Sequence, residues 1–166
     1  STGNSPNMTK KKFLLIFILF PLFISAQNKS NQNEGEPLSR ILFVFDASQS
    51  MVGRWQSDIK MNIAKKMMSS LLDSLSSFDN LQVALRVYGH QKPYPPADCN
   101  DTKLEIPFSF DNFSKVKTRI QSLEPKGTTP LSYALEQAAG DFPACDNCKN
   151  IIILITDGIE EYAGDP

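Results

Sequence analysis

The sequence is poor in the residue types that mark several large classes of protein. Its 8 glycines and 11 prolines, among 166 residues, are too few and too scattered for a collagen-like or low-complexity chain. Its 17 Lys and Arg against 18 Asp and Glu leave no basic surplus, which excludes nucleic-acid binding through bulk electrostatics. The length supports one ordinary globular domain.

The apolar run near the N-terminus is too short for a membrane-spanning helix. Three lysines precede the run from Phe13 to Ile24, and Ser25-Ala26-Gln27 follows it. A spanning helix needs about 20 apolar residues, so the pattern favours a secretory signal peptide over residues 8–26 rather than the alternative, a membrane anchor. After cleavage behind Ala26 no stable anchor remains, because Gln27 offers no thiol for lipid attachment.

The predicted signal peptide sets the organisation of the chain. Residues 1–7 are then an unstructured upstream segment, and the polar residues 27–38 are a flexible leader. The folded part is residues 39–166. We expect the protein to be exported, to the periplasm, the cell surface or the medium.

The folded part alternates predicted strands and helices. The continuous apolar runs Ile41–Phe45 and Ile151–Ile155 are typical of strands buried on both faces of a parallel sheet. Apolar residues at helical spacing from Trp55 to Phe78 predict one long helix between them. Residues 81–88 alternate and predict another strand, and Pro107 places the short strand Leu104–Phe108 at a sheet edge.

Two more helices are predicted, one from Phe113 to Leu123 and one opened by Pro130. Strands alternating with helices indicate an α/β fold: a doubly wound, Rossmann-like, mostly parallel sheet with helices on both faces and one short antiparallel edge strand. In such folds, ligands bind beyond the carboxyl ends of the strands.

Oxygen-bearing side chains cluster at these predicted strand ends. Asp46 ends the first buried strand and opens a D-x-S-x-S pattern, in which Ser48 and Ser50 point the same way. Asp157 follows the other buried strand, and Thr129 lies just before a helix. Two carboxylates at neighbouring strand ends would repel each other, so a hard cation between them is expected. Helix capping by Asp46 and by the Thr-Pro pair is the alternative interpretation.

The donor set favours magnesium. It contains carboxylate and hydroxyl oxygens but no sulfur or imidazole, which favours Mg²⁺, with Mn²⁺ or Ca²⁺ as alternatives, over zinc. Five protein oxygens leave an octahedral ion with one further position. A carboxylate from another protein is the natural ligand for that position.

Three segments carry a family resemblance. Asp46–Met51, Gly127–Leu131 and Thr156–Gly158 resemble, in order and spacing, the metal-ion-dependent adhesion site of von Willebrand factor type A domains. The resemblance implies that Asp46, Ser48, Ser50, Thr129 and Asp157 bind the metal, with Thr129 preferred to Thr128 because it directly precedes Pro-Leu. Further segments look like a bacterial exported branch of the family: Tyr88-Gly89-His90, Asp98-Cys99 and Gly164-Asp165-Pro166.

The resemblance also implies a function. It predicts an exported binding module, which is no enzyme, whose metal ion takes an acidic residue of a protein partner. The alternative is a structural module whose metal only stabilises the strand ends. Because such domains usually continue through further strands and helices, residues 39–166 are expected to be a partial domain with its last strands and helices missing.

Three cysteines allow two interpretations. In an exported protein disulfides are expected, and we favour Cys99 bridging to Cys145 or Cys148, which leaves one thiol over. The alternative is a zinc site made of His90 and the three cysteines. Only one C-x-x-C pair supports that alternative.

A phosphatase-like, Mg²⁺-dependent enzyme is the catalytic alternative. Phosphatases of the haloacid dehalogenase type carry D-x-D at a strand end, and the second position here is Ser48. The sequence also lacks a phosphate-cradling glycine loop and an H-E-x-x-H motif. Without a second carboxylate there is no obvious general acid or base, so we predict no catalytic activity.

Overall fold

The computed structural model describes residues 36–158. The predicted signal peptide over residues 8–26, the segment before it and the leader up to residue 35 lie outside the described range. The strands are β1 (Leu38–Asp46), β2 (Arg54–Trp55), β3 (Asp58–Ile59), β4 (Leu81–Tyr88), β5 (Thr102–Ser109) and β6 (Cys148–Ile155). The helices are α1 (Lys60–Leu75), α2 (Phe113–Gln121) and α3 (Leu131–Gly140), with a 3-10 turn at Gln49–Val52.

Four of the strands form one mixed sheet in the order β5-β4-β1-β6. The central strand β1 is parallel to β4 and to β6, and β4 is antiparallel to β5. The mostly parallel sheet with an antiparallel edge strand is therefore confirmed. Pro107 lies in β5 at that edge, where a residue without a backbone N–H is tolerated.

Helices cover both faces of the sheet, as predicted. Successive side chains of a strand point to opposite faces, so Phe43 and Phe45 pack with α1 and α2, whereas Leu42 and Val44 pack with α3. These four residues are fully buried. None of the helices within residues 36–158 is long and apolar enough to cross a membrane.

The single long helix predicted from Trp55 to Phe78 is wrong at both ends. Trp55 lies in the β2–β3 ribbon, which turns at Gln56 with a φ of 55°. Helix α1 begins only at Lys60, and Phe78 lies beyond its end with 61% of its surface exposed. The predicted buried face ran at intervals of three or four residues from Trp55 through Ile59, Ile63, Met67, Leu71 and Leu75 to Phe78. The residues of α1 that are buried are instead Met61, Ala64, Met68 and Leu72. Regular four-residue spacing continued by chance through residues that belong to the ribbon.

Strand β6 is less buried than its apolar sequence predicts. Ile152 and Leu154 are 39% and 37% exposed, because β6 pairs only with β1 within residues 36–158. Helix α1, with Met67, and residues 153–155 of β6 line an apolar groove of about 810 Å³, to which Trp55 also contributes. The apolar run predicted the strand correctly and its burial wrongly.

The disulfide joins Cys145 to Cys148, with 5.8 Å between their Cα atoms. Cys99 is free and exposed, so the expected bridge from Cys99 is wrong. Cys148 begins β6 and pairs with Leu38 at the amino end of β1. The carbonyl of Asp98, by contrast, accepts a hydrogen bond from Thr128 at the opposite end of the sheet. The two ends of the sheet are too far apart for a disulfide bond.

A buried ion pair attaches α3 to the sheet. Arg86 of β4 donates from Nε and Nη2 to the two carboxylate oxygens of Asp141, at 2.6 and 2.7 Å. The side chains are only 8% and 10% exposed. Removing one partner of such a pair leaves an uncompensated charge in the protein interior.

We expect Asp141→Ala to lower the free energy of unfolding by about 3–5 kcal/mol, because it leaves the buried Arg86 guanidinium without its counter-charge. The control is Asp73→Ala, which breaks the exposed pair with Lys117 and should cost at most about 1 kcal/mol. Urea denaturation measures both. Equal losses for the two variants would show that the Arg86 pair does not hold α3 in place.

Candidate metal centre

The carboxyl ends of β1 and β6 bring the two predicted aspartates to the same edge of the sheet. Asp46 is the last residue of β1, and Asp157 lies two residues beyond the end of β6. The strands are neighbours, with Phe45 paired to Ile155. Because β1 and β6 are parallel, both chain segments leave the sheet in the same direction.

A chain of hydrogen bonds links the two carboxylates through the serines of the D-x-S-x-S segment. The backbone N–H of Ser48 donates to Asp46 Oδ1 at 2.8 Å. The hydroxyl oxygens of Ser48 and Ser50 lie 3.0 Å apart, and Ser50 donates to Asp157 Oδ1 at 2.9 Å. Four of the five predicted metal ligands therefore form one connected cluster.

The fifth predicted ligand, Thr129, lies near Gly158, the residue that follows Asp157. A Cβ atom placed on Gly158 would lie 3.9 Å from Ser50 Oγ and 4.0 Å from Thr129 Cγ2. Thr129 is buried. The hydroxyl of its neighbour Thr128 donates instead to the carbonyl of Asp98 at 2.7 Å. Thr128 is thus engaged elsewhere, whereas metal binding by Thr129 stays a prediction.

Asp46 is a fully buried carboxylate, with 0% of its surface exposed. Its Oδ2 accepts a hydrogen bond from Thr156 at 2.8 Å. No basic side chain within residues 36–158 forms an ion pair with it. Burying an ionised carboxylate without a counter-charge is costly, so this position favours a cation.

The phenol of Tyr88 adds a second unusual group beside Asp46. Its hydroxyl is buried without a hydrogen-bond partner in the described part of the chain. Burial and the negative charge of Asp46 raise the pKa of Tyr88 well above its ordinary value. The phenol therefore stays neutral and adds no second negative charge beside Asp46. The carboxylate and hydroxyl oxygens of the cluster are hard donors, which fit a divalent cation.

Sequence reasoning gave no role to two residues of the cluster, although one of them, Thr156, begins the third resembling segment. Thr156 orients Asp46 through the hydrogen bond described above and also accepts the backbone N–H of Gly158 at 3.1 Å. Its position directly before Asp157 was visible in the sequence. Lys60 donates to Asp157 Oδ2 at 2.5 Å, and no sequence pattern marked it, because the β2–β3 ribbon places it there.

The zinc alternative is wrong within residues 36–158, where no group of three or more His, Cys, Asp or Glu residues could hold a metal. Cys145 and Cys148 form a disulfide at the other end of the sheet. His90 is buried, and its Nε2 contacts Glu105 Oε1 at 2.8 Å. The histidine therefore belongs to a buried ionic cluster with Glu105.

The fold and this cluster define an α/β domain with oxygen donors gathered at the carboxyl ends of its parallel strands. Residues 41–160 match the model of the von Willebrand factor type A domain, and the chain belongs to that family. The YwmD protein of Bacillus subtilis (strain 168) is 32% identical over 161 residues, which cover 94% of this chain and 71% of that protein.

Two solved structures share the fold. An aerotolerance-related membrane protein from Bacteroides fragilis NCTC 9343 matches with a TM-score of 0.61 and 23% identity, covering 76% of this chain and 57% of that one. The von Willebrand factor domain of the type V pili tip protein Mfa5 from Porphyromonas gingivalis matches with a TM-score of 0.56 and 20% identity, covering 75% and 39%. This chain therefore spans little more than half of the Bacteroides structure.

Gly89 allows the segments of the cluster to approach each other. Its φ of 68° lies in the left-handed region, and a Cβ atom there would meet the carbonyl oxygen of Thr128 at 2.5 Å and Ser48 Cα at 2.8 Å. Those atoms are backbone and cannot move independently. A side chain at this position would push Ser48 away from the cluster.

We expect Gly89→Ala to lower the free energy of unfolding by about 2 kcal/mol or more, because it adds a left-handed strain of about 1–2 kcal/mol to the overlap. Gly140→Ala is the control, since a Cβ atom there has no neighbour within 4 Å. It should be neutral or stabilising by up to about 1 kcal/mol. Chemical denaturation compares them, and a harmless Gly89→Ala would contradict the close approach.

Glu105 gives the fold a pH dependence. Burial raises its pKa, but hydrogen bonds and charges from Arg119 and His90 outweigh burial and lower the pKa to about 2. The ionised form is therefore favoured in the folded state. Its contribution is complete above the ordinary value of 4.5 and is lost as the pH falls towards about 2.

We expect Glu105→Gln to be less stable than the wild type at pH 7, with the difference shrinking between pH 5 and pH 2. Urea denaturation at several pH values measures it. Glu136→Gln, at an exposed position of α3, is the control and should follow the wild type throughout. A difference that does not change with pH would show that the ionised form of Glu105 is not favoured by folding.

Proposed function

We propose that the chain is a protein-binding module that depends on a divalent cation, held by Asp46, Ser48, Ser50, Thr129 and Asp157. The observation that carries the proposal is the fully buried Asp46 carboxylate without a basic partner among residues 36–158. A cation at this position would compensate its charge. Membership in the von Willebrand factor type A family supports the same site.

The donor atoms favour Mg²⁺, with Mn²⁺ or Ca²⁺ as alternatives, because carboxylate and hydroxyl oxygens suit hard cations. The backbone N–H of Ser48 and the hydroxyl of Thr156 hold the Asp46 carboxylate in one orientation. Ser50 does the same for Asp157. When bound, the ion would supply one open coordination position for an outside oxygen.

The partner that suits such a position is a protein with an exposed acidic residue. A carboxylate is the natural hard ligand for an ion whose other ligands are mostly neutral oxygens. The likeness to a type V pili tip protein agrees with a role in contacts between proteins rather than in catalysis. Ser48, where a D-x-D phosphatase would have a second carboxylate, also favours binding.

Two features of the chain support an exported location. The signal peptide over residues 8–26 would direct the chain out of the cytoplasm. The disulfide between Cys145 and Cys148 is typical of an oxidising compartment. We therefore place the binding module outside the cytoplasm, where it can meet partners at a surface.

Thr129→Ala and Thr128→Ala form a matched pair that tests the site. Even outer-shell changes at metal sites cost about 10- to 100-fold in affinity, so Thr129→Ala should lower Mg²⁺ affinity by at least about tenfold. Thr128→Ala removes a neighbouring hydroxyl that is engaged with Asp98 and should leave the affinity near that of the wild type. Isothermal titration with Mg²⁺ measures both.

Asp46→Asn removes the buried charge and should abolish Mg²⁺ binding in the same titration. Mg²⁺ binding that survives both Asp46→Asn and Thr129→Ala would refute the proposed site. Ser48→Ala separates binding from a structural role of the metal. If the metal serves binding, a folded Ser48→Ala variant should lose Mg²⁺ affinity with little loss of Tm in Mg²⁺. If the metal only stabilises the strand ends, the variant should melt well below the wild type in Mg²⁺ and at the same temperature as the wild type in EDTA.

A further inference from the structure

The cluster already contains one cation, the ammonium group of Lys60. Its Nζ donates to Asp157 Oδ2 at 2.5 Å, and the side chains are 31% and 12% exposed. The other oxygen of that carboxylate accepts the hydroxyl of Ser50. Both oxygens of Asp157 therefore accept hydrogen bonds, and one of the donors is positively charged, whereas the two donors to Asp46 are neutral.

The backbone fixes Lys60 beside the cluster. Its N–H donates to the carbonyl of Gly53 at 2.9 Å, and the N–H of Gly53 donates to the carbonyl of Ser50 at 3.0 Å. These bonds tie the first residue of α1 to the loop that carries the serine hydroxyls. These backbone hydrogen bonds fix the position of the Lys60 main chain relative to the cluster, so its side chain starts close to Asp157.

The other lysines in the first half of α1 are directed elsewhere. Lys65 donates to the carbonyls of Gln121 and Leu123, and Lys66 pairs with Asp58. Lys60 is therefore the lysine of this helix that contacts a predicted metal ligand within the described residues.

We propose that Lys60 is an internal counter-cation that competes with the divalent ion for Asp157, and this rests on the metal site proposed above. A metal ion and an ammonium group cannot share one carboxylate closely, because their positive charges repel each other. Binding of the ion has to displace Lys60 from Asp157 Oδ2. Lys60 thereby stabilises the metal-free cluster and lowers the affinity for the metal.

The test compares neutral variants at two lysines on the same helix. Lys60→Met and Lys60→Gln should raise Mg²⁺ affinity by about three- to tenfold, since they remove a partly exposed ion pair and a nearby like charge. Lys66→Met removes the same charge from a residue that pairs with Asp58, and it should stay within about twofold of the wild type. Isothermal titration with Mg²⁺ gives the affinities.

A second measurement follows the metal-free state. In EDTA, the Lys60 variants should melt at a lower temperature than Lys66→Met, because Asp157 loses its counter-charge. Addition of Mg²⁺ should then raise their Tm by more than it raises that of the wild type. Both shifts follow the cluster itself and require no knowledge of the protein partner.

The outcomes separate this inference from the proposed function. If the wild type binds Mg²⁺ and the Lys60 variants bind it equally or more weakly, Lys60 does not compete and only the inference fails. If no variant binds Mg²⁺, both fail. Binding by the Lys60 variants but not by the wild type would support the competition and overturn metal-dependent function of the unaltered chain.

Discussion

The structure around the candidate site depends on one buried charge. Asp46 ends the central strand of the sheet, fully enclosed, where a carboxylate without a counter-charge is costly. Two hydrogen bonds, from the Ser48 backbone and the Thr156 hydroxyl, reduce that cost without supplying positive charge. Each comes from a segment that leaves the sheet at the carboxyl ends of β1 and β6. The carboxylate therefore organises both segments before any ligand arrives.

The negative charges of the two aspartates are stabilised in different ways. Asp157 is partly exposed and has the ammonium group of Lys60 beside it, whereas the donors to Asp46 within residues 36–158 are neutral. The resulting cluster is asymmetric, with its charge compensated at the rim and uncompensated in the interior. An entering cation would gain most at Asp46 and lose most at Asp157, so its net affinity is set by the difference between two opposing terms.

The sequence predicted the elements whose signals are local. Continuous apolar runs identified β1 and β6, and alternation identified β4, because a strand that packs in a sheet needs apolar side chains at least at every second position. The same patterns did not give the burial, since β4 is buried on both faces and β6 is partly exposed. The D-x-S-x-S and Thr-Asp-Gly segments marked the strand ends because polar side chains follow the apolar runs directly. Features set by tertiary contacts were missed. The β2–β3 ribbon interrupts a periodic helical pattern, and it is this ribbon that delivers Lys60 to Asp157.

The cysteines show why distance in the fold limits such predictions. Sequence order allowed Cys99 to bridge to either of the other cysteines, but Cys99 follows Asp98 near the carboxyl end of the sheet, and the disulfide closes at the amino end of β6. The covalent link and the oxygen cluster therefore occupy opposite ends of the same sheet. The disulfide includes Cys148, the first residue of β6, which lies nine residues before Asp157. Since β6 is held along its length by β1, the cluster does not need the disulfide to keep its geometry.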